Sequence, residues 1–420
     1  MTVYASLSSL LTTARASTKS VWRDGVLTTI SADTLPYEDK PLVDVPPGYA
    51  YNRGILVEES RINICTRSED FSHSGWSKTN VTVSADTTTA PDGTTTADSV
   101  IEDTSTGRHA IGRANFACTA DTNKAWSIYL KPLPGSATRY PVVYITSGAV
   151  VGADRVGVVF NLSSVTYAAG AVNTSVAAPA FVRAGIEALP NGWFRLWIVG
   201  SIGGGDSTLG FYLGFSTSSA SASIGNSYTG DGASGFYSRG GQIEDSADMP
   251  SSYIAATAGT TASRSADNIT LATSSMPWDA AAGGLIVRGR SGIAAVGDQT
   301  IACIDGGSTA NRHLLYRLSN SQVRYVVRSG GAQTSTITLG TLADSTDFAA
   351  AISWAANDYA GSLNGAAVVT SSSGAVPVSP TTLRLGYNTA GQFLNGHISR
   401  LAHRKERPDN SILPRLSALT

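Results

Sequence analysis

Cysteine is scarce. The 420-residue chain has three, Cys65, Cys118 and Cys303, far apart and without a C-x-x-C pair. An odd, sparse set argues against a disulfide framework and a zinc knuckle, and leaves small buried thiols as the expectation. Charge is scarce as well: Asp, Glu, Lys and Arg make up 15% of the residues, against roughly 25% in ordinary soluble domains. With 30 basic and 31 acidic residues the formal net charge is −1, so no bulk field draws the chain to nucleic acid or an anionic membrane. No apolar run approaches ~18 residues, which removes a helical membrane span. The opening Met1-Thr2-Val3-Tyr4-Ala5-Ser6-Leu7 lacks the basic and then apolar regions of a secretion signal.

What replaces charge is Ser, Thr, Gly, Asn and Ala, and what replaces helical periodicity is short alternating runs between turn residues. Trp126-Ser127-Ile128-Tyr129-Leu130 alternates as a pleated strand does. Asn191-Gly192 signals a turn, and after it Phe194, Leu196 and Ile198 line one face while Trp193, Trp197 and Val199 line the other. Phe211, Leu213 and Phe215 alternate in the next run. A second set of strands is read at 284–288, 300–304, 313–318, 322–328, 348–354, 359–365, 382–386 and 397–401, with Asn364-Gly365 as a hairpin turn. Before Gly54, Ser6 to Ala14 reads as a short helix, and Pro36, Pro41, Pro46 and Pro47 interrupt any ladder.

The expected fold class is therefore all-β: two antiparallel β-sandwiches of jelly-roll kind in tandem after an irregular N-terminal arm. The expected boundaries are an arm over 1–53, a first sandwich over 54–265, a second over 266–405 and a tail over 406–420. The junction at Ala255 to Ala266 is small, polar and free of aromatic anchors, so the second sandwich is expected to fold as a unit of its own.

Several segments resemble a family of tailed-bacteriophage tail and capsid-associated structural proteins. They are Arg15-Ala16-Ser17-Thr18 with Asp24-Gly25-Val26-Leu27, Gly54 to Asn63, Ser68-Glu69-Asp70-Phe71 with Trp76, and Ala90 to Asp98. In that family this stretch opens a jelly roll similar to carbohydrate-binding modules, and Gly241-Gln242-Ile243-Glu244 with Ser251 to Ile254 closes it. Residues 268–405 resemble a concanavalin A-like, laminin-G-like sandwich, through Ala356 to Tyr359, Leu363-Asn364-Gly365, Leu383 to Gly386 and Leu394 to Ile398. The resemblance implies a virion surface protein, a spike or fibre subunit that contacts host-surface polysaccharide without cleaving it. The alternatives are a purely structural decoration or adaptor subunit and, more weakly, a polysaccharide esterase or depolymerase. Assembly in a bacterial cytoplasm with release by lysis accounts for an extracellular-type composition without a signal. A cyclic homo-oligomer is expected, a trimer as in fibres or a pentamer at a capsid vertex. The arm would be ordered by neighbouring chains and would contact other virion proteins. The arm and first sandwich are expected proximal to the particle and the second sandwich outermost.

Catalytic patterns are weak. Gly205-Asp206-Ser207 has the form of an esterase nucleophile block, but the one Asp-x-x-His, Asp70 to His73, lies far upstream. The adjacent pairs Glu58-Glu59, Glu102-Asp103 and Glu244-Asp245 point to opposite faces of a strand, so none forms a glycosidase dyad, and all are expected as solvated or turn carboxylates. Gly230, Gly232 and Gly235 match a phosphate-loop spacing but sit in a β-region, hence in a loop. The expectation is no catalytic residue and no enzyme. For carbohydrate the candidates are Tyr140 and Tyr228, in Gly- or Pro-flanked stretches of the first sandwich, and Tyr359, Tyr387, Asn357 and Asn388 of the second. Trp126, Trp193 and Trp197, on regular strands, are expected in the core. No cofactor is expected beyond calcium, for which Asp298, Asp305 and Asp358 are the candidate ligands.

Overall fold

Alternation in the strands decides where the first core lies. The computed structural model describes residues 11–38, 54–147, 155–172, 179–201, 205, 207–220, 225–257, 259–293 and 297–419. Strand Asn123–Pro132 turns Trp126, Ile128 and Leu130 inward, and the neighbouring strand Phe194–Ser201 adds Leu196 and Ile198 to the same core. Trp126 pairs opposite Ile198 and Ile128 opposite Leu196, so the apolar faces stay in register. Their six-stranded sheet runs Ala180–Ala188, Phe194–Ser201, Asn123–Pro132, Gly235–Asp245, Thr95–Glu102, Val81–Thr89. A facing six-stranded sheet runs Thr166–Val172, Arg155–Asn161, Tyr140–Ser147, Thr208–Ser216, Ala110–Ala117, Ser77–Thr79. It supplies Val143, Ile145, Val158, Phe211 and Leu213 to the shared core. Every pairing in the two sheets is antiparallel.

The second sandwich packs two seven-stranded sheets. One runs Thr12–Ala14, Asn268–Ala272, Thr382–Leu385, Gln299–Asp305, Arg312–Arg317, Gln322–Ser329, Ala332–Thr341. The other runs Val369–Ser371, Asp358–Leu363, Asp347–Ala355, Ala282–Arg290, Gly396–Arg404, Gly54–Val57, Tyr37–Glu38. Each strand expected between 284 and 401 is present, and the core holds Ile304, Tyr325, Phe348, Trp354 and Leu383. The all-β expectation of two antiparallel sandwiches is what the chain adopts.

The domain boundaries differ from the expected ones. Two strands of the arm belong to the second sandwich: Thr12–Ala14 forms the edge of one sheet, and Tyr37–Glu38 with Gly54–Val57 forms the edge of the other. Ile55 and Val57, expected to open the first sandwich, lie in the core of the second. The first sandwich is thus an insertion between strands Gly54–Val57 and Asn268–Ala272, and the tandem arrangement is corrected to a nested one. The polar junction is also a strand, Ala262–Arg264, paired with Arg61–Asn63 in a two-stranded ribbon where the chain leaves and returns. Proline does not bar the strands here: Pro36 lies just before one, and its carbonyl accepts from Leu56 N at 2.8 Å. Strands of two to five residues are too short for a period-2 signal. The helix expected over Ser6 to Ala14 ends in strand Thr12–Ala14, and its first five residues, like Pro41, Pro46 and Pro47, lie outside the described residues. The tail over 406–420 folds back: helix Leu413–Leu416 buries Leu413 against Ile286, Ala351 and Ala360.

Two histidines sit inside the second sandwich. His313 is buried, its Nδ1 lies 2.7 Å from the Tyr325 hydroxyl, and its ring is 4.6 Å from that of Trp354. His403 lies 5.4 Å from Trp278. Burial holds His313 down to about 3 and His403 down to about 4. The unfolded chain takes up protons below pH ~6.5 while the folded chain does not until pH 3 to 4, so stability is full above ~6.5 and falls as pH drops. His313 alone is expected to cost on the order of 1.4 kcal/mol per pH unit across that window. Chemical denaturation at stepped pH measures this, and the slope should flatten in His313→Gln.

Candidate functional site

A cleft with a cavity volume of about 330 Å³ opens where the two sandwiches and the N-terminal hairpin meet. The size falls at the lower end of small-ligand sites. Three elements build it. The hairpin Lys19–Arg23 to Val26–Ile30 turns at Asp24-Gly25, both with positive φ, as a type I′ turn needs. It lays Trp22 against Tyr129 of the first sandwich, with ring centroids 6.4 Å apart. From the outer face of the first sandwich come Tyr129, Glu187, Arg195 and Trp197; from the second come Arg290 to Ile293, Ser345 and Asn395 to His397. Between them lie Trp22, Glu38, Glu58, Glu59, Arg61 and Arg264.

Trp197 gives the cleft its half-exposed indole. It pairs across the ladder with Gly185, and a Cβ built there would sit 2.4 Å from the indole ring. The indole therefore lies over bare backbone, and any side chain at Gly185 would displace it. Arg195 crosses the wall 5.6 Å from the Tyr129 ring centroid, donating to Ser127 Oγ at 3.0 Å and Ser251 O at 2.7 Å. Burial pushes the Tyr129 phenol up to about 12; Arg195 opposes this and the carboxylates of Glu187, Glu38 and Glu58 add to it. The loop carrying Ser251 and Ser252 is tied down by buried carboxylates: Glu244 accepts from Ser251 N at 2.8 Å, and Glu58 from Ser252 N at 2.8 Å. On the opposite wall His397 Nε2 meets Glu38 Oε2 at 2.8 Å, and Glu38 also accepts from Trp22 N at 3.1 Å.

Behind the cleft is a buried ion cluster. Asp267 meets Arg15 at 2.9 Å and Lys19 at 2.5 Å, and Lys19 also meets Glu58 at 2.9 Å. Burial alone would raise the Glu58 carboxyl, but Arg264 and Lys19 hold it well below the usual carboxylate range. The adjacent carboxylate pairs thus need correction. Their members do point to opposite faces, but Glu58, Glu102 and Glu244 are the inward ones and are buried, not solvated. A strand or loop carboxylate goes inward when donors await it, and for Glu58 and Glu102 those donors are remote in sequence.

Among the carbohydrate candidates, the structure brings none into the cleft. Tyr359 is fully buried in the second core and donates to Gly374 O at 3.2 Å. Tyr387 is buried, stacks on Phe393 and accepts from Arg384 at 3.1 Å. Asn388 is buried and spends its amide on Thr300 Oγ1 and Gln392 Oε1, each at 2.7 Å. These three are corrected from ligand contacts to packing and loop-shaping residues. Asn357, exposed with φ 58°, accepts from Gly374 N at 3.1 Å. Tyr140 is half-buried beside Val142, Tyr144, Val159 and Tyr212 of the other sheet. Tyr228 is half-buried and donates to Glu102, whose carboxylate also meets Arg139 at 2.7 Å. Burial and that carboxylate push the Tyr228 phenol up.

The calcium candidates do not converge either. Asp305 is buried and chelated by Arg384 at 2.8 and 3.2 Å, Asp358 meets Arg407 at 2.6 Å, and Asp298 accepts from Ser319 N at 3.1 Å. Among the described residues no three His, Cys, Asp or Glu side chains are placed to hold a metal ion. Ser207 is exposed, and Asp206 lies outside the described residues. Trp126 and Trp193 are core residues as expected, whereas Trp197 is half-buried at the cleft. Alternation had shown Trp197 on the face opposite Leu196, the signal that could have placed it. Nothing in sequence placed Trp22, Glu38 and Arg264 together, since they come from three distant segments.

No family model matches the chain, and no curated protein matches it. Among solved structures it is similar to the Ruminococcus gnavus IT-sialidase CBM40, at 15% identity over 33% of this chain and 84% of that one, with a TM-score of 0.29. The LG1-3 region of the laminin alpha2 chain is similar at 9% identity over 74% of this chain and 66% of that one, TM-score 0.27. Domains LG4-5 of the mouse laminin alpha1 chain are similar at 12% identity over 89% and 94%, TM-score 0.24.

Proposed function

We propose that this chain is a non-catalytic glycan-binding protein of a tailed-phage virion, which holds host-surface polysaccharide in the cleft between its sandwiches. The observation that carries the binding reading is the wall itself: a half-buried indole over the backbone of Gly185, beside guanidinium and carboxylate groups fixed by their own hydrogen bonds. A pyranose offers an apolar face to an aromatic ring and a rim of hydroxyls to charged donors and acceptors, and this wall presents both. The virion setting rests on the resemblance of the sequence motifs at 15–27, 54–63, 68–76 and 90–98 to those of phage tail and capsid-associated proteins. In this reading the chain works as a cyclic homo-oligomer, trimeric or pentameric, on the particle surface, and touches neither nucleic acid nor the membrane interior.

Trp197→Ala is expected to weaken binding to purified host polysaccharide by about tenfold, roughly 1.4 kcal/mol, while the unfolding midpoint moves little. Gly185→Val, which pushes the indole aside, should do the same with Trp197 still present. Glycan-array binding followed by calorimetry reads both. If neither variant changes binding, or particles lacking the protein adsorb normally, the chain is a structural decoration or adaptor subunit. Release of acetate or reducing ends during the assay would make it an enzyme.

A further inference from the structure

The sheet of the second sandwich that runs from Thr12–Ala14 to Ala332–Thr341 has one acidic residue in its seven strands, Asp305. Against it stand five arginines, Arg312, Arg317, Arg324, Arg328 and Arg384. Asp305 is taken by Arg384 at 2.8 Å, and the buried Arg317 meets Asp344 at 2.6 Å. Arg312, Arg324 and Arg328 have no carboxylate partner among the described residues. They share one surface. Leu315, Val323, Tyr325 and Val327 point into the core, so alternation sends Arg312, Leu314, Tyr316, Arg324, Val326 and Arg328 to the outer face. Across the ladder Arg312 stands directly opposite Arg328 and Tyr316 opposite Arg324, with Leu314 and Val326 buried between the two rungs.

Like charges directly opposite each other destabilise a sheet, and no protein carboxylate offsets this pair. Arg312 Nε and Nη1, Arg324 Nε and Arg328 Nε are buried without hydrogen-bond partners. Among the described residues one side-chain bond holds the three guanidinium groups, from Arg324 Nη2 to Gln322 Oε1 at 2.8 Å. All three arginines remain partly exposed. An anion seated between Arg312 and Arg328 would remove the repulsion and, with a small swing of each side chain, give the unpartnered nitrogens an acceptor. Phosphate suits that seat, because it offers oxygens to two guanidinium forks at once, where a carboxylate fills one. The adjoining strand adds the exposed hydroxyls of Thr336 and Thr338, opposite Val326 and Arg324, as partners for sugar hydroxyls. A net charge of −1 supplies no field to hold a long nucleic acid.

We propose that this face binds phosphate groups carried on host-surface polysaccharide, Arg312 and Arg328 chelating one phosphate and Arg324 meeting another about 13 Å along the strand. None of these residues lines the cleft, so the site is a second one and goes beyond the reading given for the first. The test uses the full chain with phosphomannan bearing phosphate monoesters, the same polymer after phosphatase treatment, and a single-stranded oligonucleotide. Calorimetry should find the phosphorylated polymer bound at least about tenfold tighter than the treated one, with a preference that shrinks as salt rises. Arg312→Gln combined with Arg328→Gln should abolish the preference while the unfolding midpoint rises, since two opposed charges are gone. Should that variant fail to fold, the two polymers on the unaltered chain still decide. Equal affinity for the two, or a preference that survives the double substitution, overturns the phosphate site and leaves the cleft reading standing. An oligonucleotide bound as tightly as phosphomannan overturns the saccharide as the source of the phosphate.

Discussion

Asp267→Ala lowers the unfolding free energy by about 3–5 kcal/mol, the size expected when one partner of a buried ion cluster is removed. Asp267 accepts from Arg15 at 2.9 Å, from Lys19 at 2.5 Å and from Glu58 N at 3.0 Å. Each donor belongs to a different part of the architecture: Arg15 follows an edge strand of the second sandwich, Lys19 starts the hairpin that packs on the first, and Glu58 follows the strand from which the chain enters the inserted sandwich. Without the carboxylate, two cations with fully buried side chains lose their shared counterion; Lys19 keeps Glu58 at 2.9 Å, and Arg15 keeps only backbone carbonyls. The loss should therefore exceed that of Arg290→Ala. The Arg290–Asp347 pair, at 3.0 Å, is more than a third exposed on both sides, and such pairs contribute about 1 kcal/mol or less. Denaturant titrations of both variants test the contrast. Equal effects would mean that the cluster does not couple the parts. Asp267→Asn should fall between, since the amide keeps the shape and loses the charge.

What the sequence showed, and what it hid, follows from range. Strands such as Asn123–Pro132 and Gln299–Asp305 announce themselves because a buried face repeats every second residue within one segment. Asn364-Gly365 and Asn191-Gly192 announce turns because positive φ, 51° and 76° in the first and 61° and 76° in the second, favours those residues. The nested connection leaves no such local trace. Thr12–Ala14 and Gly54–Val57 are too short for a pattern, and their partners lie hundreds of residues away. The site was hidden for the same reason. Residue type singled out Tyr359 and Tyr387, and loop position Asn388, but each serves its own turn or core, whereas the cleft takes single side chains from remote strands. Trp197 was legible as far as its face. That this face looks onto a second sandwich is a fact of topology alone.

That topology sets the other large effect. A fragment beginning at residue 58, which lacks everything up to strand Gly54–Val57, should not form the second sandwich. The cut removes the edge strand Thr12–Ala14 from one sheet and the two edge strands Tyr37–Glu38 and Gly54–Val57 from the other. It takes the core residues Ile55 and Val57 with them, and burial of each such side chain is worth roughly 1.5–3 kcal/mol. It also removes Arg15 and Lys19, leaving Asp267 buried with only Arg264, at 3.9 Å. The combined loss is comparable to the whole stability of a typical domain, about 5–15 kcal/mol. The inserted sandwich keeps its own core, which draws only on residues from Ile64 to Ile243. A fragment over 61–264 should therefore unfold cooperatively with ordered β-sheet circular dichroism, and a fragment over 266–420 should show neither. Adding a peptide of residues 11–57 to the second fragment should restore its sheet signal, because that peptide carries the missing edges. If the 266–420 fragment folds without it, the N-terminal strands are an accessory to the second sandwich and not part of its structure.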